Sequence, residues 1–141
     1  MDQRRSVVEM QILLRALGAV AIVFLFFFGT LFIMNYFVPL CPGGKPEFFN
    51  GPFPKFGNGV AYSAPAPALD GSADSSTAPA RSNYLVCEGG YALGPAHTIH
   101  AEISTKGKGR FSHWQAIGFV FSTSDNSDPN TNGRRYWAVA R

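Results

Sequence analysis

Residues 16–40 read ALGAVAIVFLFFFGTLFIMNYFVPL, and this stretch decides how the rest of the 141-residue chain is to be understood. Fifteen of its 25 positions are Leu, Ile, Phe or Val. On a membrane-insertion scale these contribute roughly −7 kcal/mol, which outweighs Asn35 and Pro39 near the far end. About 20 residues cross the hydrocarbon core, so the segment can span it with tilt. No charge interrupts the 29 residues from Ala16 to Gly44, and nothing else in the chain is large enough to cover them as a buried helix. A single transmembrane α-helix, kept as an anchor, is the expectation, with residues 1–40 forming an N-terminal cap and span.

Towards the N-terminus, Ser6-Val7-Val8-Glu9 has the spacing of a capping box. Helix is predicted from about Ser6 to Tyr36, stopping ahead of Pro39 and Pro42, which cannot continue it. Arg4, Arg5 and Arg15 precede the span, and Lys45 and Lys55 follow it. That excess favours a cytoplasmic N-terminus, in a bacterial inner membrane, with the remainder periplasmic. Within the span Phe24, Phe28 and Phe32 present flat apolar rings. They are expected to meet lipid or a neighbouring subunit, including any pigment or quinone it carries.

Beyond the span, residues 41–82 hold seven of the ten Pro. The first half is rich in Gly, Pro and aromatics, the second in Ala, Pro, Ser and Asp. Such segments lack the apolar surface that would offset their ordering entropy. An extended linker is predicted here, held against a partner by Phe48, Phe49, Phe53 and Phe56.

Residues 83–141 read as a small, mostly antiparallel β module. Tyr84 to Glu88 leads through Gly89-Gly90 into Tyr91-Ala92-Leu93, a hairpin by its turn chemistry. Weak alternation from Ile99 to Ser104 suggests a further strand, and Phe111 to Gln115 another. Ala116 to Ser122 and Arg135 to Ala140 are the clearest strands, joined by the polar loop 123–134. Net charge is +3, divided as +1 over residues 1–82 (six basic, five acidic) and +2 over 83–141 (six basic, four acidic). There is no basic arm, so no nucleic-acid partner is expected.

Several runs in this module form a longer pattern: Leu93-Gly94-Pro95-Ala96-His97, His100, Gly109-Arg110-Phe111-Ser112-His113-Trp114, residues 121–129 (FSTSDNSDP) and Asn132-Gly133-Arg134-Arg135-Tyr136. Residues 84–136 thereby resemble a small β-module that recurs in bacterial envelope proteins, some of them sugar-handling. The resemblance implies an extracytoplasmic setting and assigns no activity.

Candidate chemistry is sparse. Asp128-x-Asn130-x-Asn132-Gly133 matches the first half of a calcium loop. Its closing position is Val139, and Arg134 and Arg135 stand beside the would-be ion, so an Asx-rich turn is expected instead. Asp128, Asn130 and Asn132 remain the metal candidates. His97, His100 and His113, with Glu102, lack the close pairs of a tetrahedral site and are read as structural. No Ser or Cys sits in a recognisable nucleophile setting, so no catalytic residue is assigned. Phe111, Trp114, Trp137 and the tyrosines are either core or a sugar-stacking face. Cys41 and Cys87 are the only cysteines, and a bond between them would close a loop of about 46 residues, worth about 4 kcal/mol. The sequence leaves that bond open. The expected function is a non-catalytic, single-pass accessory subunit that stabilises or helps assemble a large bacterial membrane complex, respiratory or photosynthetic, with no cofactor of its own. The alternative is a membrane-anchored carbohydrate-binding module acting on envelope glycan.

Overall fold

The computed structural model describes Met10, Arg15 and residues 17–30 and 40–141. The chain divides into two compact units, Met1–Val38 and Pro39–Arg141. In the first, residues 17–30 form helix α1. Its apolar side chains, Phe24 and Phe28 among them, are exposed, and these two rings stack 5.0 Å apart along one face. Thr30 Oγ1 donates to the carbonyls of Phe26 and Phe27, 2.9 Å from each. Among the described residues no helix is long and apolar enough to cross a membrane. The expected transmembrane helix is therefore not carried by these residues. The capping box, Phe32 and the far end of the expected span lie outside them.

The second unit holds two antiparallel sheets. One has the order β1 (Glu47–Phe48), β7 (Tyr136–Ala140), β3 (Tyr84–Glu88), β4 (Tyr91–Ala92). The other has the order β2 (Tyr62–Ala64), β6 (Gly118–Phe121), β5 (Phe111–Trp114). The hairpin at Gly89-Gly90 forms as expected, pairing Glu88 with Tyr91. Side chains from both sheets meet in one core, where Phe121 lies 5.2 Å from Tyr136 and Phe53 packs edge-on to both. β6 is buried on both faces: Phe119 and Phe121 enter this core, while Val120 joins a second cluster with Ala61 and Ile103. That explains its unbroken apolar run, since alternation needs one solvated face.

Two expectations are corrected. Residues 41–82 are not an extended linker; they contribute a strand to each sheet, β1 against β7 and β2 against β6. Phe53 is only 8% exposed, Phe49 packs on Phe119 at 5.0 Å, and Phe56 lies against the second cluster. Three of the four residues expected to grip a partner, Phe49, Phe53 and Phe56, pack into the chain's own module, while Phe48 stays exposed. The Ala/Pro/Ser half is held by different means. Its 3-10 helix Pro67–Ser72 opens on a Pro, and the Asp70 carboxylate accepts from the amide of Ala116 at 2.6 Å. Ala61, Ala64 and Ala73 are almost wholly buried, small enough to let backbones approach. Short polar side chains bonding to backbone replace the apolar surface that composition lacked.

The second correction is at residues 99–104. Instead of a strand, helix α2 runs from His100 to Lys106, with Ile103 its one buried residue. Glu102 and Lys106 pair one turn apart, and Gly107, at φ 59°, ends the helix by donating to the carbonyls of Glu102 and Ile103. The tether runs close beneath it: Val60 donates to the carbonyl of Ser104 at 2.9 Å. A Cβ on Gly59 would fall 1.9 Å from that same oxygen.

Cys41 and Cys87 form a disulfide with their Cα atoms 6.0 Å apart. It clamps the start of the unit to β3, and the Cys41 amide donates to the carbonyl of Gly90 at 2.9 Å. Cys41→Ser in the full chain is expected to cost about 4 kcal/mol, from loop entropy, and chemical denaturation will read it. Gly59→Ala is expected to cost about 1–3 kcal/mol through overpacking against backbone, where a free linker would show no change.

Candidate functional site

One cleft on the described surface brings histidine, carboxylate and indole side chains together. It encloses about 440 Å³ and is lined by Asp74, Pro79, His97, Thr98, Ile99, His100, Ser112, Trp114 and Ile117. β5 forms one wall. Ser112 and Trp114 alternate with Phe111 and His113, so the first pair lines the cleft while Phe111 and His113 are buried behind the strand. Asp74 is fixed to this strand on both sides of its own backbone. Its amide donates to the carbonyl of His113 at 2.8 Å, and the Gln115 amide donates to its carbonyl at 2.9 Å.

The Asp74 carboxylate is 1% exposed. One oxygen accepts from the Ser82 amide at 2.8 Å, and the other lies 2.7 Å from His97 Nδ1. A carboxylate can only accept, so Nδ1 carries the proton, and whenever the ring is neutral the lone pair is on Nε2. His97 sits at φ 51°, in the left-handed region that a non-glycine residue rarely adopts. Its neighbour Thr98 holds it there: the Thr98 amide donates to the Phe111 carbonyl and its hydroxyl to the Pro95 carbonyl. The His97 side chain remains 34% exposed.

The other histidines have separate fates. His113 is buried, stacked 4.1 Å from Phe119 and nearly parallel to it, with Nδ1 2.9 Å from the Ser82 hydroxyl. Burial lowers its pKa below the usual 6.5, and the opposing pull of Asp74 and Asp70 does not reverse this. Burial likewise lowers the pKa of His100, which stands edge-on to Phe56 and Trp114. The Nε2 atoms of both and the Ser112 hydroxyl are buried without a hydrogen-bond partner. Such atoms are uncommon in folded proteins. Two of the three, His100 Nε2 and Ser112 Oγ, belong to residues of the cleft.

The calcium-loop candidates are not gathered round a point. Asp128 Oδ1 accepts from the Asn130 amide at 2.9 Å. Asn130 brackets Phe53, accepting from its amide and donating to its carbonyl. The Asn132 oxygen accepts from the Arg134 amide, and its nitrogen donates to Ser127 and Tyr136. Glu102 pairs with Lys106. Among the described residues no group of three or more His, Cys, Asp or Glu could hold a metal. Arg134 binds Glu88 and Asp125, which lowers the pKa of the Asp125 carboxyl, and Tyr136 donates to Glu88 with its pKa raised chiefly by burial. This network fastens the loop over the core. Phe111 is core, whereas both tryptophans are half-buried. Trp137 lines a shallower hollow of about 610 Å³ with Phe48, and the Arg135 guanidinium lies 5.4 Å over the Phe48 ring.

Asp74, the residue that organises the cleft, carried no mark in the sequence beyond being a carboxylate among small residues. No family model, curated protein or solved structure matches the chain, so the functional reading rests on this geometry.

The histidines also set an acid sensitivity. A folded pKa below the unfolded value means the unfolded chain binds more protons, so the stabilisation is complete above about pH 6.5 and is lost as pH falls towards the folded value. The melting temperature is expected to drop between pH 7.5 and 5, and His113→Gln is expected to flatten that drop, measured by circular dichroism.

Proposed function

We propose that the chain is a membrane-anchored, extracytoplasmic module that binds envelope glycan in the cleft beside Trp114. The observation that carries this is the pairing, in one ligand-sized cleft, of a half-buried indole with unpartnered hydrogen-bonding atoms on Ser112 and His100. A pyranose ring has an apolar C–H face and a rim of hydroxyls, and it needs both kinds of surface. The apolar run over residues 16–40 supports the anchor, its flanking arginines support a cytoplasmic N-terminus in a bacterial inner membrane, and the disulfide suits an oxidising compartment.

The accessory-subunit reading depended on a linker whose contacts had to come from elsewhere. Phe49, Phe53 and Phe56 find them within the module, which leaves Phe48, Phe24 and Phe28 exposed for a partner subunit, its pigment or quinone, or lipid. The glycan reading needs no such neighbour.

Full-length chain in detergent micelles is expected to show saturable binding on an array of bacterial envelope glycans. Trp114→Ala is expected to weaken the hits about tenfold, equivalent to about 1.4 kcal/mol. An array without hits, or an unchanged Trp114→Ala variant, would overturn the reading.

A further inference from the structure

We infer that the cleft is a hydrolytic site in which His97 acts as general base on a neutral carboxylic ester, of the kind formed when a sugar hydroxyl carries an acyl group. The substrate class rests on the glycan reading; the chemistry rests on the His97–Asp74 couple. Asp74 is buried, bonded through its backbone to β5 and through its second carboxylate oxygen to Ser82, so it cannot swing away from His97. Its bond to Nδ1 fixes the tautomer, and Nε2 is the ring nitrogen left to meet a ligand. The left-handed backbone of His97 is the kind of strain that folded chains retain at functional positions.

The lining residues narrow the reaction. Glycoside hydrolysis uses two carboxylates, and the cleft has one, already committed to His97 and Ser82. Phosphoryl groups call for Lys, Arg or a metal, and no Lys or Arg lines the cleft. Ile99, Ile117, Pro79 and Trp114 suit an uncharged acyl group. An imidazole base is matched to an ester carbonyl at neutral pH.

In the step, His97 Nε2 takes a proton from water as the water oxygen bonds to the carbonyl carbon and the π pair moves to the carbonyl oxygen. That pair then returns, the bond from carbon to the sugar oxygen breaks, and the Nε2 proton passes to the departing oxygen. Ester and water become carboxylic acid and alcohol, and the ring ends neutral. His97 is the catalytic residue. Asp74 is a positioning residue.

The test uses the full chain in micelles with two probes, 4-nitrophenyl acetate and an O-acetylated N-acetylglucosamine oligomer, beside a binding assay on the same oligomer without acetyl groups. His97→Asn keeps a residue that tolerates positive φ, so the fold is expected to survive. It is expected to lower kcat at least a hundredfold, within the range of a lost general base. Asp74→Asn would present an amide N–H to Nδ1 and move the proton to Nε2, so kcat is expected to fall with KM unchanged, an outcome that mere structural support would not give. Trp114→Ala is expected to raise KM for the oligomer alone. Oligomer binding without His97-dependent hydrolysis of either probe would overturn the inference and leave the glycan reading standing. His97-dependent hydrolysis of 4-nitrophenyl acetate without oligomer binding would support the catalytic inference and remove the glycan reading. Failure of both assays would overturn both.

Discussion

The buried Asp74 carboxylate is the point on which the candidate site turns. It joins three parts of the chain that are remote in sequence: the segment 73–82 through its own backbone, β5 through main-chain bonds to His113 and Gln115, and the loop before α2 through His97. A carboxylate taken out of water needs its lone pairs matched, and here the Ser82 amide and the His97 ring do so. Because the Ser82 hydroxyl is itself bonded to His113 and Thr98 holds the backbone beside His97, the imidazole is kept in one orientation with Nδ1 towards the carboxylate. The cleft exists because those three segments cannot separate without leaving that charge unsatisfied.

The same logic explains why the stretch between the apolar run and β3 is ordered. Its apolar content is low, but its few large side chains, Phe49 and Phe53, join the main core, and three of its alanines, Ala61, Ala64 and Ala73, are buried. Its Asp and Ser side chains bond to backbone of the module. Entropy lost on ordering is offset by these contacts and by strand pairing at both sheets. Composition describes what a segment would do alone, and this one is not alone.

Legibility followed the range of the interactions. The Gly89-Gly90 hairpin and the runs that became β6 and β7 were readable because turn chemistry and apolar content are local. The partners of β6 and β7 were not: the two strands flank one loop yet lie in different sheets. α2 is not legible because Ile99, Ala101 and Ile103 alternate with polar residues, and seven residues are too few to show a helical stripe. The role of His97 is hidden in the sequence, since its partner lies 23 residues earlier in a stretch whose composition is that of a linker. No periodicity spans that gap. In the Asx-rich loop Asp128 and Asn132 bond within a few residues of themselves, which is local and legible, whereas the reach of Asn130 to Phe53 is not.

The placement of the disulfide has a mechanical consequence. β1, two residues long, lies at the edge of its sheet and would peel readily if the chain ahead of it were pulled. Cys41 precedes β1 and is tied to Cys87 in β3, which has a neighbour on either side. Tension arriving from the N-terminal direction therefore bypasses the weak edge and passes to an interior strand held by hydrogen bonds on both sides.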